Sequence, residues 1–479
     1  MSRPIRRTGI KIFAAGTVVA QAAALLRYTL LAWWLGPEQL GLAAMLVLTS
    51  QFFEQITDVG LDRFLIQSGA GNTRSAGAAV HLAIALRGLL IAGGIALSSG
   101  LIAAFFHHPE LRDGLLLLAL APAIQGFQHL DYRRVQRHHR FAGEGLMTIV
   151  GEGVSLVVLV LVALLLRSYV AIAVALVARA IAMVITSHLF ARRRYRWGMP
   201  GVHRATMLGF GLPLVFNGLL LFLGGQGDRL IIGNQLGAKE LGHYSAIILL
   251  ILYPAAMLSK LLQSIHLPTV AAARDDPRAR ARQIDRIAGE AVLLGIAMAA
   301  GFAMVAPLVV PLIYGARFSA PALLIGAAGI LQSARFVRLW PTTVSLGAGK
   351  SGNLLVSSIV RLATFPLAFV FAQAGYGLIG IVAGFVAGEF LAFVASLTLL
   401  HRHGLGSGAR DWARLALLAL AFVGIALLLS GQVAAVLAGA AVAVVVAAWI
   451  GLKEREAARA LWGLAMRRAE PVLRRLKLA

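Results

Sequence analysis

The sequence predicts an all-α polytopic membrane protein of about fourteen transmembrane helices. These form two pseudo-symmetric six-helix lobes around a central cavity, plus two extra helices. Three observations carry the prediction. The 479 residues are 59% hydrophobic and 13% charged, with mean hydropathy +0.82, whereas a soluble domain carries about 25% charged residues. Apolar stretches of about 20 residues, the length that crosses a bilayer, recur along the whole chain. A short internal repeat returns 201 residues downstream of its first copy.

The expected spans cover residues 12–35, 41–66, 77–106, 111–131, 142–166, 169–191, 205–226, 241–263, 287–313, 320–345, 353–374, 376–400, 411–430 and 432–451. Arg3, Arg6 and Arg7 before Ala20-Gln21-Ala22 imitate a signal peptide. The apolar run continues past Arg27 to Trp33-Trp34-Leu35, so it reads as a retained first span. Connections between spans are short, and none could form a soluble domain. The runs are too long and too uniformly apolar for barrel strands, which alternate over about ten residues.

Charge sets the orientation. Arg3, Arg6, Arg7 and Lys11 precede the first span. Basic clusters follow spans four (Arg133, Arg134, Arg137, Arg140), six (Arg192, Arg193, Arg194, Arg196, Arg204), eight (Arg274, Arg278, Arg280, Arg282, Arg286) and twelve (Arg402, Arg410). The alternate loops hold scattered cations only. The positive-inside rule therefore places both termini in the cytoplasm. Residues 452–479 interleave Lys453, Arg455, Arg459, Arg467, Arg468, Arg474, Arg475 and Lys477 with Leu461, Trp462, Leu464, Leu473 and Leu476. That pattern predicts an amphipathic helix on the anionic inner leaflet. The net charge of +24 is thus a topological signal, not a nucleic-acid footprint. No cysteine is present, which excludes disulfides and thiolate chemistry.

The repeat pairs Leu35-Gly36-Pro37-Glu38-Gln39-Leu40-Gly41 with Leu236-Gly237-Ala238-Lys239-Glu240-Leu241-Gly242, four positions of seven being identical. Each copy closes an odd-numbered span at its outer end. Six spans separate the copies, so the halves share one orientation, as in a parallel transporter repeat. The expected divisions are an N-lobe (1–200), a C-lobe (201–405), two extra helices (406–451) and the tail (452–479).

A charge in the hydrocarbon costs about 2.5–3.5 kcal/mol on insertion scales, so it faces a cavity or a partner. Six arginines fall inside spans: Arg27, Arg87, Arg179, Arg335, Arg338 and Arg361. Arginine stays charged when desolvated and presents a planar fork suited to phosphate. The set predicts a cationic cavity for an anionic, phosphate-bearing substrate, although any one of them could instead pair with a carboxylate to hold helices together. Intramembrane acids, the candidates for ion coupling, are Glu54, Asp58, Glu144, Glu152, Asp228 and Glu389. Gly347-Ala348-Gly349-Lys350-Ser351 imitates a P-loop, but Val344 stands where that motif needs glycine. The adjacent pairs His107-His108 and His138-His139 suit metal chelation poorly. No catalytic constellation, metal site or cofactor site is expected.

Leu30-Leu31-Ala32-Trp33-Trp34-Leu35-Gly36-Pro37-Glu38-Gln39-Leu40-Gly41, leading to Asp58-Val59-Gly60-Leu61, resembles the opening of polysaccharide transporters of the MOP flippase superfamily. So do Asp228-Arg229-Leu230-Ile231-Ile232-Gly233, Leu241-Gly242-His243-Tyr244 and Pro311-Leu312-Ile313-Tyr314-Gly315. The resemblance spans most of the chain and is closest to the Wzx-type oligosaccharide branch. It implies translocation of undecaprenyl-pyrophosphate-linked oligosaccharide across the bacterial inner membrane, for O-antigen, capsule or exopolysaccharide synthesis. It also implies that cavity cations, here the six arginines, hold the pyrophosphate. The expected partners are the lipid-linked oligosaccharide, anionic inner-leaflet lipids and polysaccharide polymerase or assembly proteins, with no nucleic acid and a monomeric state. Two alternatives stand beside this reading. A multidrug exporter of the same superfamily would attract cations with an acidic cavity. A membrane-embedded glycan polymerase or ligase would need a sizeable periplasmic loop.

Overall fold

The computed structural model describes residues 3–60, 65–66, 72–137, 141–198, 201–459, 461 and 463. The expected amphipathic tail therefore lies mostly outside the described residues. All regular structure among the described residues is helical. Among those residues, ten helical stretches are long and apolar enough to cross a membrane.

Three of these stretches are too long for one crossing: Lys11–Ile56, Val215–Ala272 and Gly352–Arg402, of 46, 58 and 51 residues. A helix rises about 1.5 Å per residue and the hydrocarbon core is about 30 Å thick. Each stretch is interrupted at glycine. Helix α1 (Arg3–Ile56) breaks at Gly36, where φ is 79° and ψ −178°. The long helix Gly201–Ala272 breaks at Gly237, where φ is 81° and ψ −174°. The third stretch breaks at Gly375 and Gly377, with φ of 83° and 55°. Each of the three is read as two crossings. The expected span 111–131 is shorter in the structure, with helices Leu111–Leu118 and Leu120–Gln125 meeting at Ala119. Pro122 causes that division, because without an N–H it leaves the Leu118 carbonyl four residues back without its helical donor.

The seven-residue repeat breaks its helix at the same glycine in both copies. Gly36 and Gly237 are 201 residues apart and share a backbone conformation open essentially to glycine alone. The copies also meet reciprocally. A Cβ on Gly41 would lie 1.8 Å from the Ala238 carbonyl oxygen, and one on Gly242 would lie 1.8 Å from that of Pro37. Since Pro37 and Ala238 are equivalent, as are Gly41 and Gly242, the contact has the two-fold character of a parallel repeat.

The chain packs as two compact units, one drawn from Met1–Ala246 and Ile313–Phe318, the other from Ile247–Leu312 and Ser319–Ala479. The core of the second unit gathers Trp340, Phe336, Phe393 and Phe422 with Ile284, Ile287 and Leu397. A smaller cluster of the first unit joins Leu65, Ala76, Ala79, Val80 and Leu130. In the loop before helix Pro277–Tyr314, the Asp276 carboxylate accepts from the backbone N–H groups of Arg278 and Ala279. Those bonds, the first from Ala279, hold its carboxyl below the usual range. Proline at the first helical position and aspartate at the cap are the sequence signs of that start.

Candidate functional site

Five of the six intramembrane arginines converge on two buried glutamates, one centre in each unit. In the second unit the centre is Glu389, whose side chain is fully buried. One carboxylate oxygen accepts from Nε of Arg335 at 3.3 Å and from Nε of Arg361; the other accepts from Nε of Arg338 at 2.8 Å. Arg338 Nη1 also donates to Ser357 Oγ at 2.9 Å. Three guanidiniums thus share one carboxylate. A cavity of about 200 Å³ opens against this centre, lined by Arg335, Arg338 and Arg361 with Gln332 and Ser259.

Local sequence explains the placement. Arg338 sits between helices Ala322–Val337 and Leu339–Gly347, and Arg361 opens the 3₁₀ turn Arg361–Ala363. Pro341 and Pro366 follow closely. Each lacks an N–H, so the carbonyls of Val337 and Leu362 lose their helical donors and the helix is interrupted beside an arginine. Glu389 lies on helix Gly377–Arg402, next to Gly388. A Cβ on Gly384 would meet Ala368 Cα at 2.5 Å, and one on Gly388 would meet Thr364 Cα at 2.7 Å. These two glycines, four apart on one face, let the backbone of Thr364–Phe371 press close and bring Glu389 to Arg361. Asn353 ties the neighbouring helices, donating to Ser345 Oγ at 2.7 Å and to the Ser396 carbonyl at 3.0 Å.

In the first unit the centre is Glu152, 3% exposed, on helix Ala142–Leu166. It accepts from Arg27 Nη1 and from Arg179 Nε, the latter at 2.7 Å. Arg27 also donates to Ser155 Oγ at 3.3 Å. Two guanidiniums share one carboxylate, so one positive charge is in excess.

Arg87 is placed differently. It donates to the carbonyls of Thr57 (2.9 Å) and Glu54 (2.7 Å), at the end of the helix that finishes at Ile56. A cation at these terminal carbonyls caps the helix and meets the negative end of its dipole. Arg87 also lines a polar cavity of about 260 Å³ with Glu54, Asp58, Arg133 and Glu144. Glu54 accepts from Ser50 at 2.7 Å, Asp58 from the Gly60 N–H at 3.0 Å, and Glu144 pairs with Arg133 at 3.0 Å. Asp228 is buried elsewhere and accepts from the Tyr244 hydroxyl at 2.6 Å. Sequence reading missed Ser155 and Ser357. Their signal is spacing: Ser155 is three residues after Glu152 and Ser357 four before Arg361, each on the face of its charged neighbour.

Glycine breaks at equivalent positions and arginine-rich polar centres inside apolar helices describe a polytopic membrane protein, and known structures share its fold. A structure titled as an inward-facing multidrug resistance MATE family transporter of the MOP superfamily matches with TM-score 0.63 and 15% identity, covering 85% of this chain and 98% of that one. The lipid II flippase MurJ, in an inward closed conformation, matches with TM-score 0.65 and 12% identity, covering 92% and 99%. A variant of the Vibrio cholerae MATE transporter VcmN gives TM-score 0.53 and 17% identity, covering 84% and 98%. The family is set by sequence: the chain belongs to the polysaccharide biosynthesis protein family, whose profile matches residues 30–322. No curated protein matches the chain by sequence.

Proposed function

We propose that this chain is a Wzx-type flippase. It moves undecaprenyl-pyrophosphate-linked oligosaccharide across the bacterial inner membrane by alternating access, for polysaccharide synthesis. The observation that carries the reading is the Glu389 centre: three arginines on one buried carboxylate, beside a cavity. Clustered guanidiniums attract anions, and a pyrophosphate offers negative charge on oxygens that match the guanidinium fork. Glu152 with Arg27 and Arg179 offers a weaker anion centre of the same kind. The family supports a role in polysaccharide synthesis, and the fold of a lipid II flippase supports a lipid-linked cargo. A cation exporter on this fold would need the opposite charge balance at these positions.

The acids divide between two roles in this proposal. Glu152 and Glu389 organise the arginines. Glu54, Asp58 and Glu144, around the polar cavity of the first unit, are the better groups for coupling to protons or sodium. Both termini are proposed to lie in the cytoplasm, with the basic tail on anionic lipid and polysaccharide polymerase or assembly proteins as partners.

Complementation tests the reading. The wild-type chain should restore surface polymer to a strain lacking its oligosaccharide flippase. The variant Arg335→Gln/Arg338→Gln/Arg361→Gln, matched for membrane abundance, should not. Alanine at all six intramembrane arginines with full polymer synthesis would sink the proposal.

A further inference from the structure

A second cationic site lies in the first unit, apart from both glutamate centres, on the side that the charge pattern assigns to the cytoplasm. It is a cleft of about 430 Å³ lined by Arg74, Arg134, Arg192, Arg193, Arg194 and Arg196. Among the described residues, Asp131 is the one carboxylate in its wall.

The cleft is built on the non-helical segment that follows helix Val170–Leu189. Arg192, Arg194 and Arg196 are exposed, while Arg193 and Tyr195 are half-buried. Two buried histidines pin the segment. His81 Nε2 accepts the Leu130 N–H at 3.1 Å, which puts the ring proton on Nδ1, facing the Arg196 carbonyl at 3.4 Å. His129 Nδ1 accepts the Asp131 N–H at 3.1 Å, so Nε2 donates to the Arg193 carbonyl at 2.8 Å. The Tyr195 ring stacks on His81 with centroids 4.4 Å apart. The arginines are thus presented by a held backbone rather than by a loose loop.

Asp131 does not offset them. It accepts from Arg134 Nε at 2.6 Å and from the Arg192 N–H at 3.0 Å, so its charge is engaged within the wall. Burial, with Arg134 and Arg74 nearby, pushes the Arg193 guanidinium below its usual range. Topology requires only that cations be numerous on this side. It does not require six of them to converge on one pinned cleft.

We propose that this cleft binds a phosphate-bearing anion, either the headgroup of an anionic phospholipid or a free polyphosphate. The site is independent of the flippase reading, since none of its residues belongs to the two glutamate centres.

The test uses the purified full chain and two probes, phosphatidylglycerol and inorganic pyrophosphate. Native mass spectrometry should show retention of phosphatidylglycerol over phosphatidylcholine. The variant Arg192→Gln/Arg194→Gln/Arg196→Gln should weaken that retention about tenfold or more, through the loss of charge-assisted contacts. Arg274→Gln/Arg278→Gln/Arg282→Gln, an equal change of charge elsewhere, should leave retention intact. Displacement of the lipid by pyrophosphate identifies phosphate itself as the recognised group. Retention that pyrophosphate does not disturb identifies the lipid headgroup. If the triple variant fails to fold, Arg194→Gln alone carries the test, as its side chain is exposed. The proposal is overturned if neither probe binds, or if the cleft and control variants lose binding equally.

Discussion

Glu389 accepts from three guanidiniums, and that imbalance makes the centre respond unequally to its own mutations. Glu389→Gln leaves three largely buried cations facing one another. Removing one partner of a buried ion pair costs about 3–5 kcal/mol, and the loss here falls at or above that range. Arg335→Gln still leaves Arg338 and Arg361 donating to the carboxylate, so it should cost clearly less. Thermal unfolding in detergent compares the two variants directly. Equal destabilisation would show that two donors do not suffice. The residue types of this centre were readable in sequence, as arginines and acids inside apolar spans. Their pairing was not. Arg338 and Glu389 are 51 residues apart and Arg27 and Glu152 are 125 apart. Hydropathy and helical periodicity carry no information about contacts at that separation. Arg87 resembled the other five in sequence, yet its partners are two backbone carbonyls and the Thr57 hydroxyl, which no residue pattern announces.

Element-scale behaviour turns on the glycine and proline interruptions. Gly36 has nothing within 4 Å of a built Cβ, so Gly36→Ala tests backbone conformation alone. The cost should be about 1–3 kcal/mol, the range for a side chain held in a sparsely populated region. Gly237→Ala should behave alike, because its φ and ψ match. Gly41→Ala is a different experiment, because its Cβ would collide with the Ala238 carbonyl and force two backbones apart. It should be the most destabilising of the three, as read by unfolding midpoints. Pro341→Ala and Pro366→Ala restore helical donors beside Arg338 and Arg361. Both should fold, and both should lose transport because the arginines move away from Glu389. Unchanged transport would mean that the helix breaks do not position them. The seven-residue repeat announced these turns in sequence, since its glycines matched at the same offset. The division at Ala119 was less legible, because a 20-residue hydropathy window averages across a proline.

At the scale of the whole molecule, hydropathy delivered the all-helical, membrane-spanning fold because the bilayer admits little else. The pinned arginine cleft escaped that reading. Counting loop cations gives orientation but is blind to their convergence. Orientation is open to direct measurement, since the chain has no cysteine to remove. A membrane-impermeant thiol reagent added from outside should label Asp113→Cys and Gln432→Cys, and should reach Asp275→Cys only after permeabilisation. The reverse pattern would invert the topology. Ion coupling is tested in the same preparation as transport. A pH or sodium gradient should change the rate of flipping, and Glu54→Gln/Asp58→Asn should abolish that dependence while sparing lipid binding. Rates indifferent to both gradients would remove coupling from the account.

The central claim is that the clustered arginines hold a pyrophosphate-linked lipid during its passage. Its most direct test is flipping in proteoliposomes of a fluorescent undecaprenyl-pyrophosphate-linked oligosaccharide, beside the same glycan on a neutral lipid. Wild-type protein should flip the pyrophosphate lipid and not the neutral one. Arg335→Gln/Arg338→Gln/Arg361→Gln, verified as folded, should reduce flipping to the level of empty vesicles. Equal transport of both lipids, or undiminished flipping by the triple variant, would contradict the claim.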